Sequence, residues 1–167
     1  MMDLLEFEAG DLYFEQVDSL DVQDLIRVAS ELYGSGEAEL PLLRAYLRAP
    51  QSLNVLVALN RFYYYQHRLS EALMISEKAL HIIEQNIDFP ADWQQLKRSH
   101  ISEAPKESLI RIRLYLFTLK SIGFLNMRLE NLELSRRIFE KVIELDDKDR
   151  IGAKGLLEVL ELRVNSL

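Results

Sequence analysis

A pattern of apolar and small residues occurs twice in this chain. Leu56-x₂-Leu59-Asn60-x₂-Tyr63, followed by Ala72-x₃-Ser76-x₂-Ala79, returns as Leu119-x₂-Ile122-Gly123-x₂-Asn126, followed by Ser135-x₃-Phe139-x₂-Val142. Steps of three and four residues place such side chains on one stripe of a helix. A single unit of this size cannot bury its stripe alone and must stack on a neighbour. The recurrence therefore predicts an all-α chain of antiparallel helical hairpins, and no segment alternates as a strand would.

Composition narrows the function classes. With 167 residues and 49% apolar content the chain is long enough and apolar enough to fold around a core. No run approaches the roughly 20 apolar residues of a membrane span. Met1–Gly10 carries acids and no Lys or Arg, unlike a signal or transit peptide, and Cys is absent, which excludes disulfides and thiolate metal sites. These features fit a cytoplasmic protein. The net charge of −7 is uneven: residues 1–40 hold 11 acids and one base, Arg27. An acidic total repels a phosphate backbone and argues against nucleic acid as the ligand.

Along the chain, residues 1–18 read as an acidic arm bearing Leu4, Leu5, Phe7, Leu12, Tyr13 and Phe14. A first helix is expected from an Asp18 or Ser19 N-cap to a left-handed glycine end at Gly34-Ser35-Gly36. A short one should run from about Glu39–Pro41 to before Pro50. Ser52-Leu53-Asn54 opens a helix to about Gln66. A turn at 67–70 follows, with Ser70 capping a helix over 71–85. Asp88-Phe89-Pro90 signals a turn, and Trp93 and Leu96 suit a short anchoring helix. Ser102–Pro105 begins the longest helix, to Arg128. Its partner covers about 131–145, Asp146–Asp149 make a polar turn, and a last helix spans about 150–164.

This spacing resembles the tetratricopeptide repeat, a helix–turn–helix unit of 34 residues. In that family small residues let paired helices cross closely. Asn60 and Gly123 match the small position of the first helix, and Ala72, Ala79 and Ser135 match those of the second. The resemblance implies repeats at 19–52, 53–86 and 116–149, an insertion at 87–115, a capping helix at 150–164, and a domain over 19–167 forming a short superhelix. It also implies a concave groove lined by first helices. The groove positions fall on Gln23, Arg27 and Ser30, then on Asn54, Val57, Arg61, Tyr64 and Tyr65. Phe117, Lys120, Phe124, Met127 and Arg128 follow, and Lys154 comes last. Arg27, Arg61, Lys120 and Lys154 would form a basic ladder among aromatic side chains, suited to an acidic peptide with apolar anchors. The segment Asp3–Phe14 has that chemistry and is expected to compete for the groove.

No residue set indicates chemistry. There is no Gly-rich phosphate loop, no H-E-x-x-H and no G-x-S-x-G. His67, His81 and His100 lack metal-ligand spacing, and Asp146, Asp147 and Asp149 lack the rest of a calcium loop. Catalytic, metal and cofactor residues are therefore expected to be none. The expected function is a protein-binding adaptor, chaperone or assembly factor, possible also as a homodimer. Two further resemblances bear on it. Size, acidity and the three-repeat plan are similar to chaperones of type III secretion translocators. Arg61–Leu69, with Ala49-Pro50 and Leu53–Leu56, resembles small repeat proteins encoded beside nitrogen-fixation genes. A regulatory subunit of an enzyme is the remaining alternative, with His100, Asp92 and Trp93 as the place to look.

Overall fold

Leu53–Tyr65 is apolar on most of its surface, and burial, not helix propensity, holds it. Val55, Leu56, Leu59, Phe62 and Tyr63 are all buried, each contributing on the order of 1.5–3 kcal/mol. A computed structural model describes residues 17–167 of the chain. The arm expected at 1–18, and its competition for a groove, therefore lie outside the described residues except for Val17 and Asp18. The described residues contain eight α-helices and no strand: α1 (Leu20–Glu31), α2 (Glu39–Arg48), α3 (Leu53–Tyr65), α4 (Leu69–Gln85), α5 (Arg98–Ser102), α6 (Leu109–Arg128), α7 (Leu132–Leu145) and α8 (Ala153–Asn165). The protein is all-α. It divides into two compact units, Met1–Ala79 and Leu80–Leu167, with the border inside α4.

In the N-terminal unit α1 packs on α2, and α2 on α3. Pro41 sits in the first turn of α2, where its missing N–H is harmless. The Ser52 hydroxyl caps α3 by accepting from the Val55 N–H at 3.3 Å. The α3–α4 crossing is polar at its centre. Asn60, 3% exposed, donates from Nδ2 to the Ala72 carbonyl at 2.9 Å and to Ser76 Oγ at 2.6 Å.

In the C-terminal unit α6 packs on α7, and α7 on α8. Here the crossing is closed by the absence of a side chain. A Cβ on Gly123 would lie 2.7 Å from Phe139 Cε1 and 2.9 Å from Ile138 Cγ2. Ser135 Oγ donates to the Gly123 carbonyl at 2.7 Å. The segment before α6 is tied down by α7: Lys141 Nζ donates to the Leu96 carbonyl at 2.8 Å, and Arg98 Nε to the Glu144 carbonyl at 2.8 Å. Leu96 is fully buried, whereas Trp93 is only half-buried. Tyr115 is also fully buried, edge-on to Phe89 at 5.1 Å. Burial, reinforced by the Glu84 and Asp92 carboxylates, pushes its phenol far above the ordinary tyrosine range.

The two hairpins agree in a detail beyond packing. At the end of α3, His67 takes φ 58°, the Arg68 N–H donates to the Tyr63 carbonyl and the His67 N–H to the Tyr64 carbonyl. At the end of α6, Glu130 takes φ 67°, the Asn131 N–H donates to the Asn126 carbonyl and the Glu130 N–H to the Met127 carbonyl. Both are Schellman closures built on a non-glycine left-handed residue, which costs on the order of 1 kcal/mol relative to glycine. Asn60 and Gly123, His67 and Glu130, and Ala72 and Ser135 are each 63 residues apart.

Several expected boundaries move. α1 ends at Glu31 with no left-handed glycine, because Leu32 and Ser35 close it with N–H donors to the Ala29 and Leu32 carbonyls. α4 starts at Leu69, so Ser70 lies inside it; the closure at His67 lets the helix restart one residue after Arg68. α6 starts at Leu109. Pro105 begins only a 3₁₀ turn, in which the Ser108 N–H donates to the Pro105 carbonyl. α8 starts at Ala153, after the Asp146 carboxylate has accepted from the Arg150 and Ile151 N–H groups.

Candidate functional site

The face of α3 presents the densest cluster of expected groove residues. Arg61 is exposed, and its guanidinium lies 5.5 Å from the Tyr33 ring centre and 5.7 Å from that of Tyr65. Tyr33 is fixed by its hydroxyl, which donates to the Ala58 carbonyl at 3.0 Å. Tyr65, 40% exposed, meets Tyr64 edge-on at 5.6 Å. Helix geometry, about 100° per residue, explains why Phe62 and Tyr63 face the core while Tyr64 and Tyr65 do not. Among the described residues no carboxylate pairs with Arg61. Its charge lies against aromatic faces, each contact contributing about 0.5–1 kcal/mol at an exposed site. Asn54, half-buried in the first turn of α3, donates to Asp18 Oδ2 at 3.0 Å. Arg27 is exposed but paired with Glu31 at 3.0 Å and Asp24 at 3.7 Å.

A second cluster in the same unit was missed by sequence reasoning. Arg68 Nη1 contacts Glu39 Oε2 at 2.7 Å, and its Nε contacts Glu71 Oε1 at 3.1 Å. Tyr63 donates to Glu39 Oε1 at 3.2 Å, beneath the Arg68 guanidinium. Burial and then the Glu39 carboxylate push the Tyr63 phenol up. Glu71's own backbone N–H, then the Arg68 hydrogen bond, hold the Glu71 carboxyl below its usual range. This network joins the first turns of α2 and α4 to the last turn of α3. Its signal in the sequence is only Glu71 three residues after Arg68.

In the C-terminal unit the expected ladder is corrected. Lys120 is 2% exposed, and its ammonium donates to the Ile151 carbonyl at 2.6 Å, with Nζ 4.7 Å from the Phe117 ring centre. It is a buried tie and not a groove cation. Met127 is buried as well, at 3% exposure, as is Val57 in the N-terminal unit at 6%. Phe117 and Phe124 are half-buried and Lys154 is exposed. His100 and Asp92 are spent on local turns: His100 Nδ1 accepts from the Lys97 N–H and Asp92 Oδ1 from the Gln94 N–H, each at 2.9 Å. Among the described residues no group of three or more His, Cys, Asp or Glu is placed to hold a metal ion. No helix among them is long and apolar enough to cross a membrane.

Fold and surface together define an all-helical protein of close-crossing hairpins with aromatic and basic side chains on exposed helix faces. A protein of Azotobacter chroococcum mcd 1, described as an uncharacterized 19.8 kDa protein in the nifW 5′ region, is 40% identical over 159 residues, covering 95% of this chain and 89% of that protein. The chain belongs to the family of that protein. No family model matches the chain. No solved structure matches it.

Proposed function

We propose that this chain is a small helical-repeat protein of the tetratricopeptide type, which binds a partner protein without chemistry of its own and serves as an accessory factor in nitrogen fixation. The observation that carries the repeat reading is the agreement of the two hairpins at a 63-residue offset, in their tight crossings and in their left-handed closures at His67 and Glu130. Repeats built this way bury their stripes on one another and leave helix faces for a ligand. The guanidinium of Arg61, which meets no carboxylate among the described residues and lies between Tyr33 and Tyr65, supplies such a face, and Arg and Tyr are among the residues that most often anchor protein interfaces. The nitrogen-fixation assignment is supported by the relative encoded in the nifW 5′ region. A cytoplasmic place of action and an adaptor, chaperone or assembly role complete the reading.

Deleting the gene in its own host tests the pathway. Growth on dinitrogen and whole-cell acetylene reduction should fall at least severalfold, while growth on ammonium stays unchanged. Equal growth of mutant and wild type on dinitrogen would overturn the assignment.

A further inference from the structure

An open cleft of about 310 Å³ lies within the C-terminal unit. Its floor is apolar: Ile112, Leu116, Leu145 and Ile151 line it, each no more than 6% exposed. Leu109, 52% exposed, forms an apolar lip, so the cleft opens to solvent. The volume is at the lower end of the roughly 300–1,000 Å³ of ligand clefts and suits one large side chain entering from a segment that runs across the surface.

The charges at the rim do not cancel. Asp146 has both carboxylate oxygens engaged, by the Arg150 N–H at 3.1 Å and the Ile151 N–H at 2.7 Å. Asp147 is paired with Arg98 at 3.0 Å. Arg113, Lys148 and Arg150 also line the cleft and are exposed. Among the described residues none of these three side chains is paired with a carboxylate. The acids of the rim are thus committed and its three cations are not. The wall is also fixed in advance, because Lys120 holds the Ile151 carbonyl from beneath and Asp146 caps the same loop. A preformed wall lowers the ordering cost of binding.

We infer that this cleft is a docking site for an acidic segment of a partner protein, which inserts one aliphatic or aromatic side chain onto the Ile112–Leu116–Leu145–Ile151 floor and places flanking carboxylates on Arg113, Lys148 and Arg150. The inference rests on the reading of the chain as a partner-binding protein and names the partner's chemistry. Charge complementarity selects this occupant. A polynucleotide would meet an apolar floor and two aspartates, and an uncharged apolar ligand would leave three cations unused.

The test uses the full chain and two labelled synthetic octapeptides, each with a central Leu-Phe pair, one flanked by Glu and the other by Gln. Fluorescence anisotropy should show the Glu peptide binding at least tenfold more tightly than the Gln peptide, with the difference shrinking as salt is raised to 0.5 M. The Arg113→Glu, Arg150→Glu double variant changes only exposed side chains. It should lose at least tenfold for the Glu peptide while its circular dichroism and melting temperature stay at wild-type values. Leu109→Glu should lose affinity for both peptides. Equal binding of the two peptides, absence of Glu-peptide binding at millimolar concentration, or binding indifferent to the double variant would overturn the inference. Dinitrogen-dependent growth separates it from the broader reading. A deletion phenotype rescued by the double variant rejects the cleft and keeps the function; peptide binding without a deletion phenotype does the reverse.

Discussion

Gly123→Val should unfold the C-terminal unit or cost it about 3 kcal/mol or more. The reason is distance. Even the first added carbon would sit 2.7 Å from Phe139 Cε1 and 2.9 Å from Ile138 Cγ2. Both neighbours are within 1% of full burial, so neither ring nor methyl has solvent to move into. Two effects oppose each other at this position. Removing glycine from a helix interior gains about 1 kcal/mol, whereas overpacking a tight crossing costs about 1–3 kcal/mol. Alanine should therefore be mildly destabilising, and valine, with two further methyl groups, clearly so. Trp93 is the chain's single tryptophan and lies in the C-terminal unit, so its fluorescence under urea reports on that unit. Adding Phe139→Leu to Gly123→Val should recover part of the loss, a coupling that a double-mutant cycle measures. A valine variant with wild-type urea midpoint would show that α6 and α7 do not cross at Gly123.

Lys120→Glu should be nearly as damaging, although the sequence places Lys120 among exposed groove residues. The substitution removes the ammonium that binds the Ile151 carbonyl at 2.6 Å and leaves a carboxylate buried in its place. Breaking a buried charge contact in this way costs about 3–5 kcal/mol. Lys120→Met keeps the aliphatic stem but loses the hydrogen bond to Ile151 and the ammonium's contact with the Phe117 ring, for about 1–3 kcal/mol. Stability by Trp93 fluorescence should fall in the order wild type, Met, Glu. If Lys120→Glu were as stable as wild type, Lys120 would be an exposed cation after all. Any partner lost by Lys120→Glu therefore reports loss of fold and not of a contact.

The hairpins were legible because their causes are local. Steps of three and four mark the buried stripes of α3 and α7, Ser52 supplies a cap within three residues, and Pro50 forbids a longer α2. Asn60 and Gly123 were recognisable as crossing positions because few residue types fit there. What escaped depends on partners distant in sequence. Lys120 looks like a surface residue until its acceptor, 31 residues later, is known; a long aliphatic stem buries as readily as it stays exposed. The Glu39–Arg68 contact likewise spans 29 residues. Left-handed closures were expected at glycines, yet His67 and Glu130 adopt them without one. There the two Schellman hydrogen bonds and the start of the next helix outweigh a backbone cost of about 1 kcal/mol. The groove residues were the least legible, because exposure depends on how hairpins stack and repeat spacing gives only candidates.

A pull-down tests most directly whether the proposed partner protein is held through exposed basic and aromatic side chains. Tagged wild type and Arg61→Glu should be purified from the native host growing on dinitrogen, with bound proteins quantified by mass spectrometry and the fold of each variant checked by circular dichroism. Arg61 is exposed and, among the described residues, its guanidinium lies against aromatic faces and no carboxylate, so its reversal should leave the fold intact. If the chain holds a partner through this face, one protein should be recovered in near-stoichiometric amount with wild type and reduced at least tenfold with Arg61→Glu. Recovery of no protein above the tag control, or equal recovery by both forms, would contradict it.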